Sequence, residues 1–140
     1  TAIGSRYSYD LYTPDANLKL PGCINHGPVD YYDMAPYVFK QAKINLNITL
    51  RSIKSGIPLR AFDILGAGGF LLTNYQSDFS DCYVADQDYV CFESKEDLLQ
   101  KLSYYLTHEE ERKAIAQNGL HTTATQHTYE HRIQEILSYF

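Results

Sequence analysis

The stretch SGIPLRAFDILGAGGFLLTNY, residues 55–75, contains the signals for a helix, a tight turn and a strand in one continuous run. Pro58 stands at the start of an amphipathic segment, and proline suits the first position of a helix. The cluster Gly66–Gly69 ends that segment, and the apolar run Phe70–Leu72 follows at once. Glycines suit a tight turn because they adopt backbone conformations that are closed to other residues, although a bound ligand would also explain them. We therefore predict a short helix followed by a buried strand.

Further strand patterns lie on either side of this unit. Residues 43–49, KINLNIT, alternate Ile44, Leu46 and Ile48 with polar residues, which is typical of a strand, and Tyr89–Glu93 is a third candidate. Strands that alternate with helices favour parallel pairing. We therefore predict an α/β fold, a Rossmann-like parallel sheet flanked by helices. The strand before the helix should lie adjacent and parallel to the strand after it, joined by a right-handed crossover.

The N-terminal part of the chain is rich in turn signals, which separate two short extended pieces, Tyr9–Tyr12 and Cys23–His26. A helix is predicted to start at Asp33, because aspartate is a good capping residue. Pro36 would lie in the first turn of this helix, where proline is tolerated. The apolar stripe of the helix would consist of Met34, Val38 and Ala42.

The C-terminal part is predicted to be helical. Ser94 with Asp97, and Thr107 with Glu110, have the spacing of capping boxes, which mark helix starts. Asn118-Gly119 is predicted to end the second of these helices. A final helix would carry Ile133, Ile136, Leu137 and Phe140.

Composition and charge narrow the classes of function. The net charge of −5 argues against a nucleic-acid partner, whose phosphates require a basic surface. No apolar run is long enough to predict a membrane span. The cysteines have no metal-site spacing, and an odd number cannot all pair, so reduced thiols and a cytoplasmic protein are expected. The chain begins with Thr1 rather than methionine, from which we expect a fragment of a longer protein.

A ligand site is predicted at the start of the helix in the opening stretch. Free backbone N–H groups at Ser55–Pro58, together with the positive end of the helix dipole, would suit an anion. Arg60 and Asp63 lie roughly 60° apart on a helical wheel, at the border of the apolar face. Such a pair could bind the phosphate and the ribose diol of a nucleotide. The alternative is an ordinary ion pair on a solvated edge.

Three segments of the chain resemble one known family. KINLNITLRSIKSGIPLRAFDILGAGGFLLTNYQ, SKEDLLQKLSYYLTHEEERKAIAQNG and HTYEHRIQEIL, in this order, resemble the glycosyltransferase group 1-like domain of the CgeB (spore maturation) family, over roughly residues 20–138. The resemblance implies the C-terminal half of a GT-B glycosyltransferase, with residues 1–140 as a single nucleotide-sugar-binding domain. Its partners would be a nucleotide-sugar donor and a missing N-terminal domain, without which the isolated domain should be inactive.

The resemblance also implies which residues bind the donor. In GT-B enzymes an acidic residue at the position of Asp63 binds the ribose hydroxyls, the loop at Ser55–Pro58 faces the diphosphate with Arg60 and Lys54 nearby, and the turn Gly27-Pro28-Val29 lies near the base. The implied donor-binding residues are Gly27, Val29, Ser55, Gly56, Ile57, Pro58, Arg60 and Asp63. No metal site and no cofactor are expected, and the catalytic residues are not identified.

One departure from the family pattern bears on the reaction. The first acid of the pair found in retaining enzymes would fall on Ser55, which puts retention of stereochemistry in doubt. The alternative function is a non-catalytic interaction or nucleotide-binding domain that has kept the fold, since fold does not fix function.

Other polar motifs have structural interpretations beside the functional ones. Asp86-Gln87-Asp88 imitates a metal motif but precedes a strand, which favours a solvated turn. His127 and His131 have zinc-ligand spacing without a third ligand, so a polar helix start is favoured. His26 would lie near the predicted cleft, either as a functional residue or as part of a turn.

Overall fold

The computed structural model describes residues 3–50, 52–53 and 55–140. These residues form two compact units, Thr1–Pro36 and Tyr37–Phe140. The strands are β1 (Tyr9–Leu11), β2 (Cys23–Asn25), β3 (Asn45–Asn47), β4 (Leu71–Asn74) and β5 (Val90–Phe92). The helices are α1 (Ala35–Gln41), α2 (Leu59–Gly66), α3 (Lys95–Thr107), α4 (Glu109–Gln126) and α5 (Tyr129–Leu137), with a 3₁₀ helix at Ser77–Asp81. The single domain expected for residues 1–140 stays a prediction.

Both sheets are parallel. In the first unit β1 pairs with β2. In the second unit three strands pair in the order β3-β4-β5, and Leu46 lies opposite Leu72 in the β3–β4 register. Helix α2 connects β3 to β4, as a parallel connection requires. The predicted parallel pairing on either side of the opening helix is therefore confirmed.

The second unit has its core between α2 and the sheet. Ala61, Ile64 and Leu65 of α2 are buried together with Leu71 of β4. Three aromatic residues complete this cluster, and burial raises the pKa of two of them, the tyrosines, to about 12. These residues are Phe79, Tyr83 and Tyr89. The apolar face predicted for the helix is thus the face that anchors it to the strands.

Strand β3 buries its polar face. Asn45 and Asn47 are 8% and 5% exposed, whereas Leu46 and Ile48 are 36% and 63% exposed. The Asn45 side chain is satisfied in the interior because its Nδ2 donates to the carbonyl of Phe39 at 2.8 Å. The alternating pattern therefore identifies the strand, but hydrogen bonds decide which of its faces is inside.

The glycine cluster after α2 is explained by the turn itself. Gly68 has a φ of +79°, in the left-handed region that favours glycine. A Cβ atom on Gly69 would lie 2.7 Å from both the Asn45 Nδ2 atom and the Phe39 carbonyl oxygen. The first residue makes the turn possible, and the second lets α1 and β3 approach it closely. This supports the structural interpretation of Gly66–Gly69 over a ligand.

Helix α1 starts later than the sequence indicates. The helix predicted from Asp33 begins at Ala35, and Met34, expected in its apolar stripe, lies exposed before it. Asp30 is the residue that closes the preceding turn, since its Oδ1 atom accepts from the backbone N–H groups of Tyr32 and Asp33 at 3.0 and 2.7 Å. Similarly, α2 begins at Leu59, with Pro58 at the capping position rather than at the first helical one.

One of the two predicted capping boxes is formed in part, because the Asp97 carboxylate accepts from the N–H of Glu93 rather than from that of Ser94. Ser94 caps α3, and its side chain accepts from the Asp97 N–H at 3.1 Å. The box predicted for Thr107 and Glu110 is wrong. Thr107 is the last residue of α3 and its hydroxyl bonds back to carbonyls of that helix, so the residue that caps α4 is His108. The Thr107 hydroxyl thus donates a hydrogen bond to the end of α3 instead of accepting one at the start of α4.

The predicted end of a helix at Asn118-Gly119 is also wrong, because α4 continues to Gln126. The glycine has a packing function instead. A Cβ atom on Gly119 would lie 2.5 Å from the carbonyl oxygen of Asp88 and 2.8 Å from the Cδ2 atom of Leu65. Gly119 therefore permits α4 to lie directly against α2 and the turn before β5.

The last helix, α5, exposes the apolar residues predicted for it. Ile133, Ile136 and Leu137 lie on α5 and are largely exposed, and Phe140 follows the end of the helix.

The packing function of Gly119 predicts the sign of a substitution. Alanine is favoured over glycine in a helix by about 1 kcal/mol. Gly119→Ala should nevertheless lower the free energy of unfolding by about 1–3 kcal/mol, because the added methyl group collides with a neighbouring backbone carbonyl. Urea denaturation followed by circular dichroism measures this change.

Gly66→Ala is the matched control, because a Cβ atom there would meet only the Thr123 methyl group at 3.6 Å, an ordinary contact. Its effect should be neutral or stabilising by up to about 1 kcal/mol. An equal gain in stability for both variants would contradict the packing explanation for Gly119.

Candidate functional site

The loop predicted to face a diphosphate lies between β3 and α2. Gly56 is exposed and has a φ of +91°. Ile57 is half-buried and packs against the core cluster, which fixes the loop to the body of the unit. Pro58 has an extended backbone and no side-chain capping bond. Ser55 is exposed at the beginning of the loop, and Lys54 lies outside the described residues.

A carboxylate already lies at this loop. The Gly56 N–H donates to the Oδ2 atom of Asp78 at 2.5 Å, across 22 residues of sequence. The hydroxyl of Ser77 donates to the other oxygen of the same carboxylate at 3.0 Å. These two hydrogen bonds lower the pKa of Asp78 below its usual value, and the bond from Gly56 has the larger effect. The amide of Gly56 is therefore directed at a position where a negatively charged oxygen can be held.

Arg60 and Asp63 both lie on α2, the first exposed and the second half-buried. They lie at the border of the face formed by the buried residues Ala61 and Ile64, as the helical wheel indicates. None of the ion pairs among the residues described by the structure joins Arg60 to Asp63. The ordinary ion pair between them, which was the alternative interpretation, is therefore not supported by this geometry.

The two remaining predicted residues belong to the first unit, where Gly27 forms a turn after β2. Gly27 is buried with a φ of +75°, and its N–H donates to the Oδ1 atom of Asn25 at 2.9 Å. Its carbonyl accepts from the N–H of Thr13 at 2.9 Å. Val29, two residues on, is half-buried. These contacts explain the glycine by the turn, and the predicted role near a base stays a prediction.

His26 is held within the first unit by its neighbours. Its Nε2 atom lies 2.6 Å from the Oδ1 atom of Asp10, and its ring stacks on Tyr12 with centroids 4.8 Å apart. Of the two interpretations of His26, the structure favours a residue that secures the turn at the end of β2.

An open groove with a volume of about 800 Å³ lies at the carboxyl edge of the three-stranded sheet. None of the predicted donor-binding residues lines it. Its lining combines apolar side chains with one carboxylate, one ammonium group and several neutral polar groups. The lining residues are Ile48, Thr49, Asn74, Tyr75, Phe92, Glu93, Ser94, Lys95 and Leu98. Most of them directly follow a strand, so the rule that ligands bind at this edge of a parallel sheet is the signal that could have found them.

Polar side chains lead from the interior to this groove. Asn47 Nδ2 donates to the Oγ1 atom of Thr73 at 3.2 Å between β3 and β4. At the edge, Asn74 Oδ1 accepts from the Thr49 N–H at 2.7 Å, and Asn74 Nδ2 donates to the Thr49 carbonyl at 3.2 Å. The Asn74 side chain thus extends the strand pairing beyond the last backbone pair and fixes the floor of the groove.

The acidic motif before β5 forms the predicted turn, but the turn is solvated only at Asp86 and Gln87. Asp88 is buried, and its oxygens accept from the Val84 N–H at 2.9 Å and the Thr122 hydroxyl at 3.0 Å. Asp86 has a φ of +62°. In the part of the chain that the structure describes, no group of three or more His, Cys, Asp or Glu side chains could hold a metal ion.

The histidine pair also has structural partners. His131 completes a capping box with Thr128 at the start of α5, in line with the predicted polar helix start. His127 lies at the end of α4, with its Nε2 atom 2.9 Å from the Cys82 carbonyl and its Nδ1 atom 2.7 Å from Arg132.

Among the described residues, no helix is both long enough and apolar enough to cross a membrane.

The hydrogen bonds of Asn74 predict its importance for stability. Asn74→Ala removes both partners of Thr49 at the groove and should lower the free energy of unfolding by about 1–3 kcal/mol. Chemical denaturation measures the loss. Gln100→Ala, at an exposed position of α3, is the control and should change stability by less than about 0.5 kcal/mol. Equal effects of the two substitutions would mean that the Asn74–Thr49 pair contributes nothing.

Comparison with known proteins agrees with this fold. No match is found among curated proteins. Among solved structures, the chain is similar to the C-terminal domain of a glycosyl transferase group 1 family protein (LpcC) from Francisella tularensis, with a TM-score of 0.62 and 20% identity. The similarity covers 78% of this chain and 55% of that one. The predicted α/β fold of a GT-B C-terminal domain is therefore confirmed. A model of the glycosyl transferase-like family matches residues 1–138, and the chain belongs to that family.

Proposed function

We propose that this chain is the donor-binding part of a glycosyltransferase of the CgeB-like group, which transfers a sugar from a nucleotide-sugar to an acceptor. Membership of the glycosyl transferase-like family supports a transferase. The resemblance of the segments around α2 and α3 to the CgeB group supports the finer assignment. The protein would work in the cytoplasm with an N-terminal domain that completes the cleft.

The observation that carries the proposal is the contact between Gly56 and Asp78. The amide of Gly56 holds a charged oxygen at 2.5 Å, immediately before the first turn of α2. An oxygen of a diphosphate has the same charge and the same capacity to accept a hydrogen bond. The positive end of the α2 dipole favours an anion at this position. This is the loop to which the family resemblance assigns the diphosphate.

The remaining roles follow from position along α2. Arg60 would donate to a phosphate, and Asp63 would accept hydrogen bonds from both hydroxyls of the ribose. Ser55, Gly56, Ile57 and Pro58 would surround the diphosphate, with Lys54 as a further cation. Gly27 and Val29 are assigned to the base by the resemblance alone.

The chemistry is displacement at the anomeric carbon of the donor sugar, with the nucleoside diphosphate as the leaving group. Negative charge grows on the diphosphate as the glycosidic bond breaks. The backbone amides at the start of α2 and the Arg60 guanidinium would stabilise that charge, which lowers the barrier. The general base and the acceptor pocket would belong to the N-terminal domain. Serine rather than an acid at position 55 leaves retaining and inverting routes both open.

Asp63→Asn tests the donor site directly. The substitution keeps the shape of the side chain but removes the charge that strengthens its hydrogen bonds to a diol. Bonds to a charged group are worth about 1.5–3 kcal/mol, and about 1.4 kcal/mol is a tenfold change in affinity. Binding of uridine, guanosine and thymidine diphosphates, measured by calorimetry, should weaken roughly ten- to a hundredfold for whichever of them binds, with little change in thermal stability.

Glu110→Gln is the control, since it removes one negative charge from an exposed position on α4. Its affinity for the same nucleotides should equal that of the wild-type chain. Equal affinities for Asp63→Asn and the wild type, or binding to neither, would count against the donor site and favour a non-catalytic interaction domain.

A second test concerns the need for another domain. Residues 1–140 alone should transfer no sugar to any acceptor, because GT-B chemistry takes place in a cleft between two domains. Incubation with radiolabelled nucleotide-sugars and a panel of acceptors, followed by chromatography, measures transfer. Robust transfer would show that these residues form a self-contained enzyme. Slow hydrolysis of the donor would agree with the proposal, since water can enter an open half-site.

A further inference from the structure

An acidic side chain of the loop that follows β4 contacts the loop that follows β3. Asp78 uses one carboxylate oxygen to accept from the Gly56 N–H at 2.5 Å and the other to accept from the Ser77 hydroxyl at 3.0 Å. Both loops lie at the carboxyl edge of the sheet, because β3 and β4 are parallel neighbours. The carboxylate of Asp78 in one loop thus accepts the hydrogen bond that the Gly56 amide in the other loop can donate.

This contact competes with any other anion at the same amide. The Gly56 N–H has a single hydrogen, which cannot point at a carboxylate and at a phosphate oxygen at once with good geometry. The pKa of Asp78 is lowered by these bonds, so the carboxylate is ionised at neutral pH. A phosphate beside it would also be repelled by its charge. The two anions are therefore alternatives rather than neighbours.

A second observation on the same loop concerns the buried side chain of Gln76. Gln76 is 9% exposed, and among the residues that the structure describes its buried Oε1 atom has no hydrogen-bond partner. A buried acceptor without a partner is costly, and such atoms are rare in folded proteins. Gln76 lies two residues before Asp78, at the cap of the 3₁₀ helix. A shift of this segment that releases Asp78 would also give the Gln76 side chain the opportunity to find a donor.

We infer that Asp78 is a built-in competitor of the donor's diphosphate. It binds the Gly56 amide of the loop 55–58 when the donor is absent, and it must move away from that amide when the donor binds. The inference rests on the proposed function, since it takes the anion to be the diphosphate of a nucleotide-sugar. The segment Gln76–Asp78 would then act as a latch between the loops after β3 and β4. Closure of the latch keeps the amide satisfied in the empty protein, and its opening lowers the net affinity for the donor.

Asp78→Asn tests the competition. Asparagine can still fill the space and accept from Gly56, but as a neutral acceptor it holds the amide less strongly. Calorimetric titration with inorganic pyrophosphate and with uridine, guanosine and thymidine diphosphates, in the presence of EDTA, should show affinity about three- to tenfold higher than that of the wild type. Asp78→Ala, which removes the contact, should show at least the same gain.

Asp81→Asn is the matched control, because Asp81 lies exposed on the same 3₁₀ helix and no bond joins it to Gly56. It removes the same charge from the same element, so its affinity should equal that of the wild type or rise far less than that of Asp78→Asn. If Asp81→Asn raised the affinity for pyrophosphate by the same factor, the cause would be the loss of one negative charge anywhere on this element, and the latch would be overturned.

The NMR signal of the Gly56 amide gives a readout that is independent of affinity. It should move in Asp78→Asn without ligand, and it should move toward one common bound position when pyrophosphate is added to either protein. Nucleotide binding to the wild type with unchanged or weaker binding to Asp78→Asn would overturn the latch and leave the proposed function intact. Binding to neither protein would overturn both. Mg²⁺-dependent binding that disappears in Asp78→Asn would also overturn it, because Asp78 would then hold a bridging cation.

Discussion

The packing of α2 against the β3–β4 pair is the constraint on which the rest of the second unit depends. Ala61, Ile64 and Leu65 bury the helix on the strands, and the turn through Gly68 and Gly69 brings the chain straight back into β4. Because the two strands are parallel, the start of α2 must lie at their carboxyl edge. The positions of the Gly56 amide and of Asp63 both follow from the packing of this helix.

Local patterns in the sequence were enough to predict the elements that depend on local contacts. The parallel strands on either side of α2 and the cap of α3 at Ser94 could be predicted because a short window contains every residue involved. Features that depend on distant partners could not. The buried face of β3 depends on Phe39 and Thr73, and the glycine in the middle of α4 depends on a carbonyl of the turn before β5. Neither partner is visible from the pattern around the residue itself.

The candidate site divides along the same line. The rule that helix starts attract anions led to Gly56, and the helical wheel together with the family resemblance led to Asp63, because these signals lie within the opening stretch. Asp78 could not be predicted, since it lies 22 residues away and meets Gly56 only through the parallel pairing of two strands. The groove was missed for another reason. Its residues lie at and beyond the ends of three separate strands and on α3, and only the arrangement of the strands brings them to a common surface.

The buried asparagines of β3 have a consequence for how the sheet chooses its alignment. Hydropathy alone would favour sliding β3 by one residue, which would turn Leu46 and Ile48 inward and Asn45 and Asn47 outward. That slip would forfeit the amide bonds to Phe39 and Thr73. The directional hydrogen bonds of the two asparagines thus permit only one register of the strand, whereas the burial of apolar side chains alone would favour the wrong register. Because these hydrogen bonds fix the register of β3, they also fix the position of the loop after β3 relative to the loop after β4.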